Sequence, residues 1–145
     1  MGQQQLLLVI LVTIIVGIAT VVAINIFGTA ADQANRDAVR QELMSAAANA
    51  QAIWSRPEMM GGASRDFNTP DLEDIVERLG IPGELGETGG IQGNTIENEN
   101  GTYVVSVVDA NSLRVIATPG SGEPTITLDV SHDGTIWDIE IVEQD

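Results

Sequence analysis

The first thirty residues of the chain are apolar on every side and show no helical periodicity. Residues 1–31 contain no charged side chain, and residues 6–27 are interrupted only by two threonines, one asparagine and small residues. As a helix rising about 1.5 Å per residue, this segment would cross the roughly 30 Å hydrocarbon core of a bilayer. Because every side is apolar, lipid or other protein must surround it. A cleaved signal peptide is disfavoured, since that would need a basic start and a shorter apolar core.

Residues 30–56 continue as a helix, but with a single apolar face. The stretch is rich in alanine and contains no proline or glycine, which favours helix. Apolar positions recur at spacings of three to five, which predicts a narrow buried stripe: Ala34, Ala38, Leu43, Ala47, Ala50 and Trp54. We predict one continuous helical domain over 1–56, ending before Pro57 because a residue preceding proline avoids the helical region.

Residues 57–101 are predicted to be a connector with one short helix over 70–79. Thr69 is a suitable cap, Pro70 suits the first helical position, and acidic residues follow in the first turn. The buried face of this helix is predicted from its spacing: Leu72, Ile75, Val76 and Leu79. The remainder, 81–101, is rich in glycine and acidic residues and is predicted to be loop.

From residue 102 to 145 apolar and polar residues alternate, which predicts an antiparallel β head of four strands. In the first hairpin, which turns at 109–112, we expect one apolar face of Val104, Val108, Leu113 and Val115 and another of Val105, Val107 and Ile116. In the second, a two-residue turn at Asp133-Gly134 pairs Val130 with Trp137, Leu128 with Ile139 and Ile126 with Ile141. Those six residues form the predicted head core: Ile126, Leu128, Val130, Trp137, Ile139 and Ile141. The expected fold class is α+β, with the four-stranded meander packed on the long helix.

The run LLLVILVTIIVGIATVVAI at residues 6–24, with a glycine at its middle, resembles the N-terminal helix of type IV pilins and pseudopilins. The resemblance is architectural and extends over the whole chain: an apolar helix, its amphipathic continuation and a β-rich head. It implies a subunit held in the inner membrane and delivered by pilus assembly machinery to a helical filament of identical copies. The residues that it places in the filament core are Leu6, Leu7, Leu8, Ile10, Leu11, Ile14, Ile15, Gly17, Ile18, Val21, Val22, Ile24 and Phe27.

The chain departs from the pilin pattern at three points. Pilins have a basic leader ending in glycine, whereas Met1-Gly2 has no basic side chain, and its cleavage is left open. The fifth mature residue would be Gln5 or Leu7, not glutamate, depending on that cleavage. The chain has no cysteine, so it lacks the pair of the pilin head.

The charge and the inventory of reactive side chains argue against several function classes. A net charge of −15 repels phosphate backbones, so no nucleic-acid partner is expected. The chain has one histidine and neither lysine nor cysteine, and no catalytic motif is present, so we expect neither an enzyme nor a cofactor. Residues 129–140 fit most of a calcium-loop spacing, but the strand pattern leaves only Asp129 and Asp133 as weak metal candidates. The triplet at Asn100 fits the glycosylation pattern, which is weak.

The function expected from the sequence is a structural subunit of an extracellular, pilin-like filament, with helices in the core and acidic heads on the surface. The alternative is a single-pass membrane anchor with an extracytoplasmic binding domain that does not polymerise. Arg36 and Arg40 follow the apolar segment and by the positive-inside tendency favour a cytoplasmic head, whereas the resemblance implies an external one.

Overall fold

The computed structural model describes residues 2–88, 91–122 and 124–144, and its fold is α+β. It begins with α1 (Gly2–Ser55), a short 3-10 helix (Glu58–Met60) and α2 (Leu72–Arg78). The strands that follow are β1 (Glu84–Thr88), β2 (Ile91–Glu97), β3 (Gly101–Asp109), β4 (Ser112–Pro119), β5 (Thr125–His132) and β6 (Trp137–Gln144). The chain divides into two compact units, residues 1–34 and 35–145, and α1 belongs to both.

The predicted long N-terminal apolar helix is confirmed, since α1 continues through Gly28 without a break. Glycine costs a helix interior roughly 1 kcal/mol relative to alanine, and this cost does not interrupt α1 at Gly28. The helix ends at Ser55, just before Pro57. Backbone N–H groups of the following loop cap its last carbonyls, with Ala63 donating to Ile53 at 2.8 Å and Arg65 to Trp54 at 2.7 Å.

The second unit contains one hydrophobic core, which includes the C-terminal half of α1, α2 and the sheet. Seven side chains of α1 are buried in it: Val39, Leu43, Ala46, Ala47, Ala50, Ile53 and Trp54. The predicted stripe began too early, because Ala34 is exposed and Ala38 only half-buried. From α2, Ile75 and Val76 join the core, as does Leu79 directly after it.

The sheet has six antiparallel strands in sequential order, so the prediction of four was wrong. The two additional strands, β1 and β2, lie in 81–101, for which the composition predicts loop. Glycine and glutamate disfavour strands, but strand preference depends strongly on context. Here β2 pairs with β3 through Thr95, Ile96 and Glu97, and the side chain of Ile96 is 2% exposed. Pairing with a well-formed neighbour therefore outweighs the local composition.

The β3–β4 hairpin contains a bulge that changes which residues share a face. Val107 pairs with Leu113 and Asp109 with Ser112, so the register shifts around Val108. Because one extra residue exchanges the two faces of a strand, the predicted grouping was wrong. Val105 lies opposite Val115 in the core, whereas Val104 lies opposite Ile116 on the outer face.

The β5–β6 hairpin is displaced by two residues from the predicted register. Its pairs are Val130 with Ile139, Leu128 with Ile141 and His132 with Trp137, which leaves a four-residue loop at 133–136. The Asp133 carboxylate stabilises this loop by accepting the backbone N–H groups of Thr135 and Ile136, each at 2.8 Å. A shift of two residues preserves the side-chain alternation, so the predicted inner and outer faces of these strands remain the same.

The helix α2 begins later than predicted, at Leu72. Thr69 does not cap it: the N-cap position belongs to Asp71, whose side chain makes no capping hydrogen bond. The stretch at 66–69 instead forms a turn in which Thr69 N–H donates to Asp66 at 3.1 Å. Gly80 follows the helix with φ of +73°, the left-handed conformation that glycine adopts most easily after a helix.

Candidate functional site

The candidate functional site is the apolar segment of α1, which we define as residues 6–27. Its large side chains are exposed within the chain, from 48% at Ile10 to 74% at Phe27. Every large residue that the pilin resemblance places in a filament core lies in this exposed set. By length and composition the helix also qualifies as a membrane span. The segment therefore has an apolar surface on all sides, and exposure of that surface to water is unfavourable.

The polar groups of this part of α1 are mostly satisfied inside the helix. Thr13 donates its hydroxyl to the Val9 carbonyl at 2.7 Å, and Thr20 donates to the Val16 carbonyl at 2.8 Å. A hydroxyl with an intrahelical partner costs little to remove from water, whereas an unpaired one costs several kcal/mol. These threonines are thus compatible with burial in lipid or among helices.

Two glycines of α1 are not required by the fold of the single chain. At Gly17 and at Gly28 an added Cβ would meet nothing within 4 Å, and both positions are helical. Helix-interior glycine is unfavourable by roughly 1 kcal/mol relative to alanine. Small residues are common where two membrane helices approach closely, so these positions are candidates for contact with another helix.

In the second unit, a polar network joins α1 to the β2–β3 turn and to β3. The Glu42 carboxylate accepts hydrogen bonds from the Tyr103 hydroxyl, from Asn98 Nδ2 at 3.0 Å and from Asn100 Nδ2 at 2.6 Å. Burial, and then the hydrogen bond and charge of Glu42, raise the pKa of the Tyr103 phenol above its usual value. Asn100, which carries the weak glycosylation pattern, is half-buried, and its Nδ2 is bonded to Glu42.

The two weak metal candidates have other partners. Asp129 forms a two-bond ion pair with Arg114, at 2.6 and 3.0 Å, which raises the pKa of the guanidinium. Backbone N–H groups of Ile136 and Thr135 hold the pKa of Asp133 below its usual value. Within residues 2–88, 91–122 and 124–144, no group of three or more histidine or acidic side chains could hold a metal ion.

The predicted head-core residues divide between the centre and the edge of the sheet. Ile126, Leu128 and Val130 of β5 are fully buried. On β6, Trp137 and Ile141 are partly buried against the core, and Ile139 is 38% exposed. β6 is an edge strand with a neighbour on one side, so its side chains are covered less completely.

An aromatic cluster at the end of α1 was not evident from the sequence. The His132 ring lies 4.3 Å from that of Trp54 and 4.9 Å from that of Trp137, and the two indoles meet edge to face at 5.2 Å. Trp54 also donates its indole N–H to the Ala110 carbonyl at 3.3 Å. Trp54 is far in sequence from the other two rings, and the displaced hairpin register brings His132 opposite Trp137, so no local pattern could indicate the cluster.

The charges of the chain are concentrated beyond the apolar segment. All six arginines and all but one of the 21 acidic residues lie in residues 35–145, Asp32 being the exception. Arg40 pairs with Asp37 at 2.8 Å and also with Glu143. Acidic residues nevertheless outnumber the arginines by 21 to six. The apolar segment is consequently the uncharged part of a strongly acidic chain.

Comparison of the chain with protein-family models, with curated proteins and with solved structures finds no match. The long apolar helix followed by an antiparallel sheet is compatible with a pilin-like fold. The likeness to type IV pilins therefore consists of architecture, and function has to be argued from the site itself.

Proposed function

We propose that the chain is the structural subunit of an extracellular, type IV pilin-like filament, in which the apolar segments of identical copies form the core and the acidic heads the surface. The observation that carries this proposal is α1 itself. Its front part is apolar and exposed on every side, and it continues without a break into a half that belongs to a folded head. Before assembly, the inner membrane would hold the apolar segment, and pilus assembly machinery would extract it.

The energetics favour any surrounding other than water. The apolar segment has fifteen valine, leucine and isoleucine side chains, and burying each is worth about 1.5–3 kcal/mol, so its exposure to water is prohibitive. Lipid removes that cost almost as well as protein does, so transfer from membrane to filament would depend on helix packing. Close approach at Gly17, where a side chain would meet nothing of the same chain within 4 Å, supplies such packing.

The distribution of charge supports the same arrangement. Two copies can meet along residues 2–31 without any charge repulsion, because that stretch has no charged side chain. The acidic parts of the same copies repel each other, and this repulsion is smaller when the acidic parts are spread over a larger radius. A core of apolar helices with acidic heads outside satisfies both conditions.

A second candidate function is a single-pass anchor for an extracytoplasmic binding domain that stays monomeric. The length and apolarity of α1, which suffice for a membrane span, favour it. In that case the apolar segment would stay in lipid, and glycine at position 17 would have no role in contact between copies.

The two functions are separated by expressing the full chain and a Gly17→Val variant, with Val16→Ile as the matched control. Electron microscopy of sheared cell-surface material should show thin filaments containing the wild-type chain and the control. Gly17→Val should remain in the membrane at unchanged level but form at least tenfold less filament, because the added side chain keeps helices apart. Recovery of the wild-type chain exclusively as a detergent-soluble monomer would refute the filament and favour the anchor.

A further inference from the structure

One side of α1 forms a shallow groove between Val22 and Gln33. Its lining residues follow at spacings of three and four, so they lie along one face of the helix. Three of them form a polar line, and the other three form an apolar line beside it. The polar line is Asn25, Thr29 and Gln33, and the apolar line is Val22, Ile26 and Ala30.

Asn25 is the unusual member of this groove. It is the sole carboxamide between Leu6 and Ala31. Thr29 donates its hydroxyl to the backbone carbonyl of Asn25 at 3.0 Å. The side-chain carboxamide of Asn25, in contrast, has no hydrogen-bond partner among the residues that the structure describes. A carboxamide buried without a partner costs several kcal/mol in an apolar environment. Its place within the apolar segment therefore calls for a partner outside the chain.

We infer that this groove is the contact that sets the register between neighbouring copies, with Asn25 as the specificity-determining residue. The inference rests on the proposed filament. The occupant of the groove is α1 of a second copy, and the Asn25 carboxamide bonds a hydroxyl or carboxamide of that helix. An amide can donate and accept at once, so either kind of partner satisfies it.

The sparseness of polar groups in α1 is what makes this contact selective. Between residues 6 and 31 the other hydrogen-bonding side chains are the three threonines, at positions 13, 20 and 29. When two such helices slide past each other, few offsets bring Asn25 to a polar group, and the others leave it against aliphatic side chains. A single polar residue in an apolar helix interface fixes register in this way in coiled coils. The six lining residues carry no charge, so the same face of an identical helix adds no charge repulsion within the groove.

The test uses filaments of the full chain carrying Asn25→Leu, with Ile24→Leu as the matched control and Asn25→Gln as a variant that keeps the amide. Ile24→Leu places the same side chain in the same turn but outside the groove. Helical image analysis measures the fraction of filament segments in the principal class of rise and twist. We expect this fraction to fall at least twofold in Asn25→Leu, to match wild type in Ile24→Leu, and to recover in part in Asn25→Gln.

The outcomes separate this inference from the function on which it rests. Asn25→Leu filaments with a single symmetry identical to wild type would overturn the inference alone, and would assign Asn25 to the headgroup region of the membrane instead. Absence of wild-type filaments would overturn the proposed function and this inference with it. Loss of filaments from Asn25→Leu, with Ile24→Leu unaffected and both variants equally abundant in the membrane, would support it.

Discussion

Tyr103 is the one tyrosine of a chain that has no lysine and no cysteine. No other side chain therefore has a reference pKa near 10, so titration of this phenol can be followed by itself. Its side chain is fully buried and donates to Glu42 on α1. Burial and the adjacent carboxylate raise the pKa of the phenol in the folded state. A raised pKa contributes stability that is fully present below the unfolded value, near 10, and is lost as the pH rises toward the folded value.

We therefore predict that the phenolate of Tyr103 forms together with alkaline unfolding and not before it. The measurement is an absorbance titration of the full chain in detergent from about pH 8 to 13, with circular dichroism followed in parallel. Glu42→Gln removes the charge and keeps the size, so its phenolate should form at lower pH. A simple titration of the wild-type phenol near pH 10, with the circular dichroism unchanged, would contradict the prediction.

The residues of this network also show where prediction from sequence ends. The acidic character of the chain is evident from its sequence, but nothing near Glu42 indicates that the β2–β3 turn and β3 supply its three donors. Tyr103 and Asn98 are more than fifty residues away in sequence, and the composition around Asn98 predicts a connector. A side-chain hydrogen bond between distant segments has no periodic signature, so it follows only from the fold.

At the scale of elements, predictability followed the strength of the local pattern. The long helix was predictable because apolar residues followed by alanine-rich residues, without proline, leave few alternatives over 54 positions. Hairpins were predictable as hairpins, but not in register. The bulge around Val108 depends on backbone pairing, and the loop at 133–136 depends on hydrogen bonds from backbone N–H groups to the Asp133 carboxylate. β1 and β2 were missed because pairing with a neighbour, and not composition, makes them strands. The side chains of β5 and β6 nevertheless lie on the inner and outer faces that the sequence predicts, although their pairing differs.

The difference between centre and edge of the sheet gives a prediction for two paired strands. Leu128 of β5 is fully buried and pairs with Ile141, whereas Ile139 of β6 is 38% exposed. Leu128→Ala should lower the free energy of unfolding by about 2–5 kcal/mol, because it removes buried contacts and leaves a cavity. Ile139→Ala should cost less than about 1.5 kcal/mol, since partial burial means a smaller transfer term. Urea unfolding followed by tryptophan fluorescence measures both, because Trp54 and Trp137 lie in the same unit.

Those two substitutions are matched in chemistry and differ in burial. Equal losses of unfolding free energy would contradict the assignment of β6 as a partly covered edge strand. The measurement is made on detergent-dispersed monomer, so that no neighbouring copy covers this edge. A larger loss of unfolding free energy for Ile139→Ala than for Leu128→Ala would indicate that another copy still covers it. The same comparison repeated in filaments shows whether assembly changes the burial of β6.

At the scale of the whole molecule, the excess of acidic groups is the dominant electrostatic feature. The chain carries 21 acidic residues against six arginines. Within the part of the chain that the structure describes, Arg40, Arg65 and Arg114 have an ion pair or an aromatic contact. Salt screens the repulsion among exposed charges, with a Debye length of about 10 Å at 0.1 M and 3 Å at 1 M. The stability of the head and the assembly of copies should both increase as salt is added.

We predict that the Tm of the head rises by roughly 5 °C between low salt and about 1 M sodium chloride, which corresponds to about 1 kcal/mol in a domain of this size. The control is the triple variant Glu77→Gln, Glu97→Gln and Glu99→Gln, which neutralises three exposed acids. It should start from a higher Tm at low salt and gain less from added salt, because fewer like charges remain to be screened. A Tm that falls with salt would mean that the ion pairs of Arg40 and Arg114 outweigh the repulsion. If the filament proposal holds, the concentration of unassembled wild-type chain should fall over the same salt range, since each added copy brings its acidic head close to others.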